Sequence, residues 1–101
     1  MQNRFEINYL PIAEEDLNEI INYFLKDNPE YAIKILELFD QSISRLSEFP
    51  YLGFVPKDDI IAQMNYRILC VESYLVFYTF VNDVIEIHRI INGKRKYDYL
   101  F

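Results

Sequence analysis

"IIAQMNYRILCVESYLVFYTFVNDVIEIHRII", Ile60–Ile91, is the stretch that decides the fold. Three runs within it, about Ile60 to Val71, Tyr74 to Val81 and Val84 to Ile91, are rich in β-branched and aromatic residues. Such side chains fit a pleated, half-buried surface. Two polar pairs, Glu72-Ser73 and Asn82-Asp83, separate the runs. Connections of two residues suit hairpins, although neither pair has the favoured glycine. The expectation is therefore an antiparallel meander. In the third run, strict alternation puts Arg89 on one face with Ile87 and Ile91, and His88 on the other with Glu86 and Ile90. Both faces are mixed, so which of the pair points outward stays open.

Toward the N-terminus the period changes. Phe5 to Leu10 alternates apolar and polar residues, the pattern of a half-buried strand, and Pro11 ends it. Leu17, Ile20, Ile21 and Phe24 then recur at three- and four-residue spacing, behind Glu14, Glu15 and Asp16 in a first turn that favours negative charge. Asn28-Pro29 reads as a cap followed by a first helical residue. A second stripe follows, Ala32, Ile35, Leu36, Phe39, Ile43 and Leu46, in a helix running to about Glu48. The short break predicts an antiparallel helical hairpin. Phe49 to Gly53 is a turn, and the chain to about Asp59 reads as a loop. The order is β-α-α-β-β-β. The fold class is α+β: a helical hairpin packed on a twisted, mainly antiparallel sheet of about four strands, with the first strand able to join a later one in parallel.

The 101 residues predict one domain over 1–101. Hydrophobic content of 51% with only two glycines marks a folded chain. The start shows no cationic segment followed by an apolar run, and no apolar stretch approaches the ~20 residues of a membrane span. A cytoplasmic protein is the expectation, with no membrane partner. The formal net charge of −6 argues against broad nucleic-acid binding. That charge is uneven: residues 1–59 hold 12 acids and 5 bases, whereas residues 60–101 hold 4 acids and 5 bases. The last cations, Lys94-Arg95-Lys96, precede Tyr97, Tyr99 and Phe101, which share a face when extended. Cys70 reads as a small buried apolar residue. No Cys/His cluster calls for a metal, and no cofactor motif is present.

Several phrases together resemble the RelE/ParE superfamily of toxins from bacterial type II toxin–antitoxin pairs: "AEEDLNEIINYF" (13–24), "AIKILELFDQSISRLSEFPYLG" (32–53), "YRILCVESYLVFYTF" (66–80) and "VIEIHRIINGKRKYDYLF" (84–101). The resemblance spans nearly the whole chain and lies closer to the ParE-like branch. It implies a toxin neutralised by a cognate antitoxin, and two activities on one fold. ParE-like members poison DNA gyrase, a role tied to plasmid stabilization. RelE-like members cleave messenger RNA on the ribosome, without metal.

Carried over by position, the resemblance implies Arg67 and Arg95 as basic site residues. It puts Tyr97, Tyr99 and Phe101 where the nuclease branch holds its acid–base group. Leu69 and Leu75 stand where that branch often has further cations. The catalytic set, if the chain is a nuclease, is then Arg67, Arg95, Tyr97 and Tyr99. The wider target- or phosphate-binding set is Arg67, Arg89, Lys94, Arg95 and Lys96. Two missing cations favour the gyrase branch over the ribonuclease, and a third possibility is an inactive relative acting only as a binding module. Each candidate also has a structural reading: Arg67 as an exposed strand residue pairing with a helix carboxylate, His88 as a lone structural histidine, and Lys94–Lys96 as a solvated turn.

Overall fold

The computed structural model of the protein describes residues 4–93. Strand β1 (Glu6–Tyr9) leads into helices α1 (Pro11–Asp27) and α2 (Pro29–Ser44). A short helix, α3 (Asp59–Gln63), precedes strands β2 (Tyr66–Val71), β3 (Tyr74–Val81) and β4 (Val84–Asn92). The four strands form one sheet in the order β1-β4-β3-β2. β2, β3 and β4 are an antiparallel meander, and β1 joins β4 in parallel, Glu6 opposite Val84 and Tyr9 opposite Ile87.

Local chemistry sets the helix boundaries. Pro11 starts α1, where no N–H is needed. Asn28 caps α2, its side-chain oxygen accepting from the Tyr31 N–H at 3.2 Å. The expected run to Glu48 is split: α2 tightens into a 3-10 turn, Arg45–Ser47, whose Leu46 is still fully buried. Ala13, Ile35, Phe39, Ile43 and Leu46 pack with Leu69, Val71, Val76, Tyr78, Ile85, Ile87 and Ile90 of the sheet. Each large apolar side chain buried this way contributes about 1.5–3 kcal/mol.

Three expectations need correction. The first strand of the meander begins at Tyr66, not at Ile60. Asp58 accepts hydrogen bonds from the Ile60 and Ile61 N–H groups at 2.9 and 3.1 Å, and this cap starts α3 despite two β-branched residues. Asn65, at φ 65°, then turns the chain into β2. Ile61 packs on Ile68, Phe77 and Ile91, so α3 covers part of the sheet face opposite the hairpin.

The second correction is in β4. Phe77 pairs with Arg89 but Tyr78 with Ile87, so His88 is an extra residue in a β-bulge. The bulge breaks the alternation read from sequence. Ile87 and Ile90 both join the hairpin-side core, while Ile91 joins the opposite cluster. The third correction is Cys70, which is exposed. It lies in β2, the edge strand, beyond the cover that α3 gives to Ile68.

Both turns of the meander use positive φ without glycine. Glu72 sits at 53°, and Asn82 and Asp83 at 54° and 62°. Two consecutive left-handed residues are the geometry of a tight hairpin turn that matches strand twist.

Candidate functional site

Three groups of polar side chains stand out on this frame. The first surrounds Arg67 at the start of β2. Tyr78 is fully buried, yet its hydroxyl donates to the Pro50 carbonyl at 2.8 Å and accepts from the Gly53 N–H at 2.8 Å. This pins the 50–53 turn to the sheet. Burial pushes the Tyr78 phenol pKa up, opposed by the Gly53 N–H and the Arg67 charge. Gly53 is needed for space: a Cβ there would lie 2.7 Å from the Tyr78 ring and 2.8 Å from the Ile68 carbonyl.

The pinned turn presents its carbonyls to Arg67, whose Nη1 donates to Gly53 O at 2.8 Å and, more weakly, to Tyr51 O at 3.4 Å. The guanidinium lies 4.9 Å from the centroid of the Tyr51 ring, which contacts Phe80 at 5.3 Å. Arg67 thus holds no helix carboxylate. It lines an open cleft of about 430 Å³ with Tyr51, Val55, Asn65, Tyr66 and Val81.

The second group lies on the sheet face away from the hairpin. Tyr66, Thr79, Glu86 and His88 meet across three strands. The Tyr66 hydroxyl is 3.1 Å from His88 Nδ1, and His88 Nε2 is 3.0 Å from Glu86 Oε1 and 3.3 Å from Thr79 Oγ1. One arrangement satisfies these partners: Tyr66 O–H donates to Nδ1, and Nε2–H donates to Glu86. Burial lowers the His88 pKa, and Glu86 only partly opposes it, so the ring is neutral near pH 7. A Glu-His-Tyr chain can relay a proton, but it brings no positive charge.

The third group fixes Arg89. Its Nε and Nη2 donate to the two oxygens of Asp16 at 2.8 and 3.1 Å, and Asp16 also accepts from the Ile90 N–H at 3.0 Å. β1 ends opposite Ile87, so Ile90 faces an edge that no strand covers. The first turns of α1 supply the missing acceptor there. With side-chain exposures of 20% and 12%, the pair is largely enclosed. Arg89, expected among the target-facing cations, is committed to joining helix and sheet.

Of the sequence-derived set, the described residues include only Arg67 and Arg89. Arg67 and Arg89 lie in separate surroundings, with neither in contact with the other. Lys94, Arg95, Lys96, Tyr97, Tyr99 and Phe101 lie outside the described residues. Leu69 is buried on the hairpin side of β2, and Leu75 packs on the other face. On that other face, the register sets Arg89 opposite Phe77, and Arg89 is the one cation among the described strand residues there, already held by Asp16. Sequence reading missed Tyr51, Tyr66 and Glu86. The spacing of Glu86 and His88, two apart in a strand, was a usable signal; the approach of Tyr66 needed the strand register.

No helix among the described residues is long and apolar enough to cross a membrane. No curated protein sequence matches the chain. Among solved structures, the fold is similar to one described as the chromosomal ParDE toxin–antitoxin system from P. aeruginosa, with a TM-score of 0.75 at 18% identity, covering 91% of this chain and 99% of that one. It is also similar to the toxin–antitoxin complex RelBE2 from Mycobacterium tuberculosis, with a TM-score of 0.59 at 16% identity, covering 88% and 98% of the two chains. The sequence profile described as the ParE toxin of the type II toxin–antitoxin system parDE matches residues 7–97. Nine-tenths of the sequence fits that profile and the fold agrees with it, so this chain belongs to the ParE toxin family, within the RelE/ParE superfamily of type II toxin–antitoxin toxins.

Proposed function

We propose that this toxin acts by poisoning DNA gyrase, and that a cognate antitoxin holds it inactive in the cytoplasm. The observation that carries the choice of target is the sheet face opposite the hairpin. Its described residues offer the carboxylates of Glu6 and Glu86, a neutral His88, and a single cation, Arg89, which Asp16 already holds. Metal-free RNA scission needs positive charge where the phosphate gains negative charge. Each absent group of that kind costs about 2.7–4 kcal/mol of barrier, roughly a hundredfold or more in rate. The two arginines of the described sheet, Arg67 and Arg89, are spent largely on carbonyls and on Asp16. The family membership supports the same branch.

The antitoxin reading is supported by the exposed apolar surface. Tyr51, Phe54 and Ile60 are more than half exposed, as are Tyr23 and Ile33 on the hairpin. Exposed apolar groups in this number mark a surface that a partner covers.

The test is induction of the protein alone in bacteria, with DNA integrity and message cleavage followed together. Gyrase poisoning gives broken chromosomes and filamentous cells with intact messages. Codon-biased cuts in translated messages, with abrupt loss of protein synthesis, would instead establish the ribonuclease. An absence of toxicity would leave only the binding-module role.

A further inference from the structure

The tip of the helical hairpin holds a feature that the toxin reading does not use. Tyr23, Phe24, Asp27, Asn28 and Tyr31 line an open pocket of about 450 Å³. Its walls are aromatic rings set nearly at right angles. Tyr23 meets Phe24 at 5.2 Å and 80°, and Phe24 meets Tyr31 at 4.8 Å and 71°. Tyr74 lies close behind: its hydroxyl is raised in pKa by burial first, and then by Tyr31 and Tyr23. A cation placed over an open face of such a ring is attracted by the ring's negative face.

The charges agree. Asp27 is the last residue of α1, where the helix dipole is already negative. A carboxylate there opposes the dipole; Lys26 shares the last turn, but the Asp27 side chain has no hydrogen-bond or ion-pair partner among the described residues. The positive start of α2 is already answered by the Asn28 side chain and by Glu30. Residues 11–44 hold eight acids and two bases. The hairpin therefore carries −6, as much as the whole chain, and the remainder is neutral in sum.

We propose that this pocket receives an arginine side chain of the antitoxin; this rests on the toxin–antitoxin reading above. Arginine fits better than lysine because its planar guanidinium stacks on rings while forking to a carboxylate. Among the described residues, Arg67 sits over the Tyr51 ring in this way. A macromolecular source fits the setting. Tyr23 is 69% exposed, and Ile33 and Leu36 of the same hairpin expose apolar surface that a bound chain would cover.

The test titrates the full-length, 15N-labelled protein with N-acetyl-arginine amide while amide shifts are followed. Saturable shifts confined to residues 23–31 are expected. Asp27→Asn and Tyr23→Ala should each weaken the binding roughly 2- to 30-fold. The neutral analogue N-acetyl-citrulline amide should produce no shifts. Equal shifts from both analogues, or none from either, overturn the proposal. The source of the arginine is read separately, using the antitoxin encoded beside the gene. Asp27→Asn should weaken that complex by a similar factor and flatten its salt dependence. Unchanged affinity overturns the assignment to the antitoxin. Shifts that grow with protein concentration and need no added probe give the pocket to a second copy of the chain, and overturn it too. A toxin that no neighbouring gene product neutralises would overturn the toxin–antitoxin reading itself, an outcome the amide titration cannot produce.

Discussion

Replacing Tyr78 with phenylalanine deletes one oxygen and should cost more than most core substitutions of that size. The ring is fully buried, and Phe fills the same space. The hydroxyl, however, serves two buried residues, accepting from the Gly53 N–H and donating to the Pro50 carbonyl, both at 2.8 Å. Without it both groups lose their partner. An unsatisfied buried group costs about 1–3 kcal/mol. The flanking Tyr51 and Leu52 are exposed, so water reaches part of the turn, and about 2–4 kcal/mol in total is expected. A domain of this size typically has ~5–15 kcal/mol of stability. The loss should lower Tm by more than about 10 °C.

Urea unfolding of the wild type and Tyr78→Phe measures this directly. Gly53→Ala tests the same contact from the other side, since its Cβ would sit 2.7 Å from the Tyr78 ring. The double mutant should lose less than the sum of the singles, because both disturb one junction. A Tyr78→Phe variant within about 0.5 kcal/mol of wild type would refute the reasoning, as that is the range of substitutions that break nothing. The 50–53 turn would then be held by something else, and so would the carbonyls that orient Arg67.

Other consequences follow from single contacts. Asp16→Ala should destabilise by about 3–5 kcal/mol, because it strands the enclosed Arg89 and the Ile90 N–H; chemical denaturation reads it, and near-wild-type stability would mean the pair is solvated. His88 has a folded pKa below its unfolded value near 6.5. The folded protein therefore binds this proton less readily than the unfolded chain. Its contribution is intact above pH 6.5 and is lost as pH falls from there toward the folded pKa. His88→Gln should flatten the stability profile in that window. Asp83→Gly places the favoured residue at φ 62° and should stabilise by about 0.5 kcal/mol, a thermal shift of about 2–4 °C.

The parts of the fold set by period were legible in the sequence. The two helices and the Asn28-Pro29 junction lie where expected, the second stripe is buried except at Leu36, which is exposed, and the meander turns fall at Glu72-Ser73 and Asn82-Asp83. Local events hidden under a period were not. Ile60 and Ile61 read as strand until the Asp58 cap turns them into a helix. The bulge at His88 inserts one residue and flips everything after it, which alternation cannot reveal. The site was harder still. Arg67 and Arg89 were identifiable as cations, but their partners lie 14 and 73 residues away. Whether a cation is free or spent depends on such contacts. Glu86 and His88 join a hydrogen-bonded group only because β3 and β2 bring Thr79 and Tyr66 beside them.

The choice of target is tested most directly with purified components in parallel. One reaction contains the chain, DNA gyrase, ATP and supercoiled plasmid, quenched with detergent and protease. The other contains translating ribosomes on a defined message. The account predicts protein-linked double-strand breaks in the plasmid and an intact message. Efficient cutting of the ribosome-bound message, with gyrase undisturbed, would contradict it.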